Sequence, residues 1–137
     1  MHPEVWLMSN PPEIFPASVT QDKTSLGRIG EELARDYFRK RKFNIVERNF
    51  RCPLGEIDII ARRGKSLHFI EVKYRRSIDY GLPQESVVRR KQRRIRNTAI
   101  IWLKNRHLPL DSEIHFDVLA ITEQTGKLKY EYLQDAF

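Results

Sequence analysis

Apolar positions along the chain recur with two different periods, and those periods predict its elements. Leu26, Ile29, Leu33 and Tyr37 fall at helical spacing. They give a buried stripe to a helix that Thr24 or Ser25 caps and that runs to about Lys42. Phe43 to Glu47 reads as a short strand, and Pro53 and Gly55 break Arg51 to Gly55 into a loop. Two strands follow, Glu56 to Arg62 and Ser66 to Tyr74, joined by the hairpin connection Arg63-Gly64-Lys65-Ser66. Gly81-Leu82-Pro83 opens a second helix that reaches about Arg106, with Val88, Ile95, Ala99 and Trp102 as its inner stripe. His107 to Asp111 is a loop. Glu113 to Thr122 and Lys127 to Leu133 form a last hairpin, turned at Gln124-Thr125-Gly126. The order αβββαββ predicts an α/β sandwich or α+β domain over residues 24–137. Residues 1–23 hold four of the seven prolines and no apolar period, so an irregular tail is expected there, with Trp6, Ile14 and Phe15 available to dock.

Alternation along the middle strands places chemistry. Asp58 shares a face with Glu56 and Ile60, and Glu71 shares one with Phe69 and Lys73. If Gly64 and Lys65 centre the turn, Asp58 lies opposite Glu71 and Glu56 lies opposite Lys73. Opposed like charges on a sheet face destabilise it. A divalent cation would relieve them, since Mg²⁺ is held by one or two carboxylates with waters and phosphate oxygens. The plainer reading makes Glu56 and Lys73 a surface pair worth under ~1 kcal/mol, with Asp58 and Glu71 solvated. Against it, Ile57 to Ala61 and Leu67 to Val72 are nearly continuous apolar runs, as in strands covered on both faces. Both readings stand on the residues alone.

Charge adds a second signal. The 137-residue chain has a formal net charge of +7, which suits a polyanionic partner or an anionic surface. From Arg75 to Arg106 there are ten Lys or Arg against two acids. Arg75, Arg76, Arg89, Arg90, Arg93 and Arg94 are candidate phosphate contacts. Six basic residues between Arg89 and Arg96 repel one another without a counter-ion. Lys91 borders the inner stripe, placed either to reach the carboxylates or to snorkel from the core edge. A single cysteine, Cys52, excludes an internal disulfide and a paired-cysteine zinc site, and a reducing cytoplasm is expected. No apolar run approaches the ~20 residues of a membrane span, and the N-terminus does not read as a signal peptide. The four histidines lack zinc spacing, and no phosphate-loop or dinucleotide glycine motif occurs. His115 and Asp117 read as half-exposed strand positions.

The segments Gly55-Glu56-Ile57-Asp58-Ile59-Ile60-Ala61 and Phe69-Ile70-Glu71-Val72-Lys73-Tyr74-Arg75 resemble the core motif of PD-(D/E)XK nucleases. Further pieces follow in order: Gly27-Arg28-Ile29-Gly30-Glu31-Glu32, Arg48-Asn49-Phe50-Arg51, Gly81-Leu82-Pro83-Gln84-Glu85 and Phe116-Asp117-Val118. Together they resemble the YraN-like family, a largely uncharacterised group similar to Holliday-junction resolvases, over about Gly27 to Ile121. The resemblance implies a restriction-endonuclease-like α/β core, a central mixed sheet flanked by helices. It implies Mg²⁺- or Mn²⁺-dependent hydrolysis of phosphodiesters in DNA, with branched or structured DNA as substrate. Asp58 and Glu71 match the metal-binding acids, Lys73 the catalytic lysine, and Glu31 the helix glutamate. The superfamily's proline is absent, since Ile57 precedes Asp58. Helical spacing independently sets Glu31 beside Ala34 and Phe38, while Glu32 lies among Arg28, Arg35 and Arg39 as a salt-bridge partner. An ordinary first-turn acid favoured by the helix dipole would look the same at Glu31. A resolvase-like role would favour a two-fold homodimer. The rivals are a non-catalytic nucleic-acid-binding module on the same fold, and an adaptor whose basic helix docks an acidic protein.

Overall fold

A computed structural model describes residues 4–8, 23–76, 87–109 and 111–137. Strand β1 (Glu4–Met8) precedes helix α1 (Lys23–Lys40), then come β2 (Asn44–Cys52), β3 (Gly55–Arg63), β4 (Ser66–Arg75), helix α2 (Arg89–Asn105), β5 (Ile114–Gln124) and β6 (Lys127–Leu133). The strands form one sheet in the order β1-β6-β5-β4-β3-β2. Among the described residues, only β4 and β5 run parallel, which requires a crossover, and α2 lies on it. This is the mixed sheet flanked by helices that the motifs imply.

Each helix covers one face. On the α1 side, Ile29, Leu33, Ala34, Tyr37 and Phe38 pack on Ile59, Ala61, Ile70, Leu119 and Ile121. On the α2 side, Ile95, Ala99, Trp102 and Leu103 pack on Ile57, Ile60, Phe69, Phe116 and Val118. Covering both faces explains why β3 to β5 read as apolar runs.

Four expectations need correction. Glu4–Met8 pairs antiparallel with β6 inside the segment expected to be irregular. Five residues next to prolines are too short to display a period, so only the partner strand defines this one. Strand β2 continues to Cys52, past the Glu47 end that its polar residues suggest, because as an edge strand it needs no further apolar positions. Val87 and Val88 precede α2 rather than lying within it, and Val88 is extended, with φ −74° and ψ 162°. Val88 therefore leaves the helical stripe and is 59% exposed, while Val87 is buried instead. The proposed opening at Gly81-Leu82-Pro83 lies outside the described residues.

The fourth correction is at Asp117, which is fully buried rather than half-exposed. It hydrogen-bonds His68 Nδ1 at 2.6 Å, takes the Tyr132 hydroxyl, and accepts the Asp135 backbone N–H at 2.9 Å. His115 stacks on His68 with centroids 4.6 Å apart and bonds Asp135 at 2.6 Å, with Glu113 on its other nitrogen at 3.4 Å. Burial alone would depress the His115 pKa, but Asp135, then Glu113 and Asp117, together hold it above the ordinary imidazole value. A raised folded-state pKa stabilises below the unfolded value, and that contribution is lost as pH rises through the folded pKa. In an NMR titration, Asp135→Asn should therefore lower the His115 midpoint. An unchanged midpoint would remove the pair as its cause.

Candidate functional site

The site begins where two strands part. β3 and β4 pair from Arg63/Ser66 to Ile59/Ile70 in the register that a turn at Gly64-Lys65 requires, and Gly64 supplies the positive φ of 62°. Continuing that register would set Asp58 against Glu71, but the ladder stops one pair earlier. Asp58 Oδ2 accepts the Val72 N–H at 2.8 Å, so a carboxylate replaces the neighbouring backbone there. Side-chain alternation breaks at the same point. Ile57 and Ile60 both join the α2-side core, while Ile59 joins the α1 side.

Two glycines bring the flanking elements against this gap. A Cβ on Gly30 would stand 2.8 Å from Tyr74 Cβ, so only glycine lets α1 sit this close to β4. A Cβ on Gly55 would stand 2.9 Å from Thr98 Oγ1, which draws β3 against α2. Helix α2 is further fixed by Glu47 of β2, whose Oε1 accepts Trp102 Nε1 and Arg106, each at 3.0 Å.

Glu71 is buried, and one of its oxygens holds two ammonium groups, Lys73 at 3.4 Å and Lys91 of α2 closer still. Burial, and then the Glu71 charge, push the Asp58 carboxyl up to about 7. Lys73 is depressed by burial and by Lys91 lying against it. Burial would likewise depress Lys91, but Glu71 foremost, with Lys73 and Asp58, leaves Lys91 raised. Lys73 does not meet Glu56, contrary to the simple register. Glu56 instead pairs with Arg51 at 3.1 Å on the exposed side, so the surface-pair reading of Lys73 falls.

Glu31 lines a cavity of about 280 Å³ with Gly27, Gly30, Asp58, Val72, Lys73 and Tyr74. Asn49 of β2 donates to Glu31 Oε2 at 3.1 Å from a left-handed backbone with φ 55°. Its neighbour Arg48 holds Glu32 at 3.1 Å, and Arg35 holds it at 3.0 Å. The Arg48-Asn49 motif thus positions the α1 glutamates, a role invisible until β2 and α1 are juxtaposed. Among the described residues, no three His, Cys, Asp or Glu side chains converge as a cation-holding group. Glu31 shares a cavity with Asp58, and Asp58 shares a field with Glu71, without all three closing on one point.

A larger cavity of about 600 Å³ on the α2 side is lined by Arg51, Arg90, Lys91 and Arg94 among others. Arg89, Arg90, Arg93 and Arg94 are exposed, as helical spacing indicates, while Arg75 at the end of β4 and Arg76 just after it are half-buried. Arg96 lies over the Phe116 ring at 4.8 Å. The first turn of α2 has no acid and starts Arg-Arg-Lys, placing cations at the positive end of the helix dipole. An arriving polyanion would relieve that arrangement. No helix among the described residues is long and apolar enough to cross a membrane.

Comparison with known proteins gives a consistent family. The model described as "Uncharacterised protein family UPF0102" matches residues 30–121. A UPF0102 protein of Geotalea uraniireducens is 49% identical over 117 residues, covering 85% of this chain and 91% of the relative. One from Dictyoglomus thermophilum is 46% identical over 114 residues, 82% of this chain and 96% of the relative. One from Geobacter sulfurreducens is 50% identical over 113 residues, 82% of this chain and 88% of the relative. The chain belongs to the uncharacterised UPF0102 family, the YraN-like proteins that its motifs resemble.

Proposed function

We propose that this protein is a divalent-metal-dependent endonuclease acting on DNA in the cytoplasm, with branched or otherwise structured DNA as its substrate. The observation that carries the reading is the acidic pair at the parted strands, Asp58 and Glu71, with Lys73 beside it and a basic helix alongside. Mg²⁺ or Mn²⁺ suits these hard oxygen donors, because two carboxylates suffice when water and phosphate complete the shell. Asp58 supports the fit. Its raised pKa reflects burial beside a like charge, and a bound cation favours the ionised form. Asp58 and Glu71 would hold the ion, with Glu31 facing the same cavity as Asp58. When bound, the ion would activate water and stabilise charge on the phosphate. Asp58 stays oriented by Val72 N–H. Lys73, partly screened from water, offers positive charge to a phosphate oxygen that gains negative charge. Arg89, Arg90, Arg93 and Arg94, with Arg75 and Arg76, would grip the backbone.

Junction, flap, single-stranded and linear DNAs incubated with Mg²⁺ or Mn²⁺ provide the test. Cleavage of at least one, stopped by chelation, is expected. Absence of cleavage on every substrate with either ion would favour the non-catalytic binding module. The engagement of Glu71 by both lysines is the feature that favours that rival. Sedimentation with junction DNA would report the two-fold dimer that a resolvase-like substrate calls for.

The grip has its own signature. Neutralising Arg89, Arg90, Arg93 and Arg94 should weaken binding to all sequences alike. On duplex DNA, the log-log salt slope should fall by roughly 0.9 for each phosphate that no longer meets a cation. An unchanged slope in the multiple Arg→Ala variant would place the binding surface elsewhere, and an acidic protein partner for α2 would then gain support.

A further inference from the structure

Lys91 occupies the position where a cation is needed. Its Nζ lies against Glu71 Oε1, the oxygen that Lys73 also approaches at 3.4 Å. Glu71 is nearly sealed from solvent, whereas the Lys91 side chain is 40% exposed and borders the larger cavity with Arg90 and Arg94. The two lysines are not equivalent. Lys73 is fixed in the strand that carries Glu71. Lys91 reaches across from another element on a flexible four-carbon stem. Releasing it need not release the helix, which Glu47 also holds through Trp102 and Arg106.

We propose that Lys91 is a tethered cation that keeps a divalent ion off Glu71 until nucleic acid arrives. This rests on the nuclease reading and extends it to regulation of the same site. A phosphate entering the arginine-lined cavity offers Lys91 a second anion. As Lys91 turns toward it, Glu71 loses its closest positive partner and takes up the divalent ion. DNA and metal then bind with positive coupling, and because linkage is reciprocal each tightens the other. The free protein is left with weak metal affinity, which limits hydrolysis to the DNA-bound state.

Calorimetric titration with Mn²⁺ tests this without reference to cleavage. Lys91→Ala and Lys91→Gln should bind Mn²⁺ about tenfold more tightly than wild type, within the usual range of such couplings. Lys91→Arg, which keeps the charge, should stay near wild type. Arg90→Ala removes a neighbouring charge that does not touch Glu71 and should change affinity far less. Thermal melts by circular dichroism establish that each variant is folded. With a short duplex bound, and its own Mn²⁺ uptake subtracted, wild type should tighten by a similar factor and Lys91→Ala should not. Equal or weaker Mn²⁺ binding by folded Lys91→Ala would overturn the proposal while leaving the cation site standing. So would a tightening by Arg90→Ala as large as that by Lys91→Ala, or a wild-type affinity that DNA does not move. If neither wild type nor Lys91→Ala binds Mn²⁺ with or without DNA, the cation site itself falls, and the proposal with it.

Discussion

Lys73→Ala is expected to cleave DNA at least ~100-fold more slowly than wild type, the scale for losing a well-placed electrostatic group. Folding and DNA affinity should be nearly unchanged. The structure makes this separation clean. Removing one partner of a buried charge pair ordinarily destabilises strongly, because the other charge is left unpaired. Here Glu71 keeps Lys91 when Lys73 is gone. Glu56 is already paired with Arg51, so it loses nothing either. A charge that matters only as the transition state forms changes rate rather than ground-state binding. Lys73→Arg should rescue incompletely, since the guanidinium is broader and more weakly hydrated. Asp58→Asn should behave differently. Its amide oxygen can still accept the Val72 N–H, so the fold is retained, but the charge that would bind Mn²⁺ is lost. Rate and metal binding should therefore fall together. If wild type cuts DNA and Lys73→Ala cuts equally well, the catalytic assignment of Lys73 is wrong.

The residues at this site are legible in the sequence to different depths. The hairpin register follows from a glycine turn between two apolar runs, and the observed pairs from Ile59/Ile70 onward agree with it. That register also puts Asp58 near Glu71. It does not reveal that the ladder ends there, because a side-chain carboxylate has taken a backbone donor. Ideal alternation assumes an uninterrupted ladder, and so it misplaces Lys73 beside Glu56. Lys91 is legible at the edge of the buried face because it lies four residues before Ile95. Val88 gives no such guide, because it lies outside the helix. Glu31 separates from Glu32 by helical angle, but the Asn49 contact joins residues 18 apart through a left-handed strand residue. No local period encodes such a contact.

Asp117→Ala is expected to destabilise the fold by about 3–5 kcal/mol, the cost of breaking a buried, hydrogen-bonded polar group from its partners. Sequence alternation treats Asp117 as an ordinary strand position, since its partners come from three other places: His68 on β4, Tyr132 on β6 and the backbone of Asp135 beyond β6. Parallel pairing sets His68 beside His115, and the sheet order then brings β6 to the far side of β5. Removing the carboxylate leaves a buried ring nitrogen and a buried hydroxyl without their shared acceptor, each costing roughly 1–3 kcal/mol. The total is a large fraction of the ~5–15 kcal/mol that stabilises a domain. Asp117→Asn keeps the shape and one acceptor oxygen, and so should cost less, on the order of 1–3 kcal/mol. Urea unfolding followed by circular dichroism would rank the two. DNA binding per folded molecule should stay at the wild-type level, because the Asp117 carboxylate is engaged by His68, Tyr132 and the Asp135 backbone and lines neither of the two cavities at the parted strands. The Phe116-Asp117-Val118 motif then belongs to the scaffold rather than to the chemistry. A loss below about 1 kcal/mol for Asp117→Ala would contradict the network's structural role, since even a single orphaned buried partner should cost more than that.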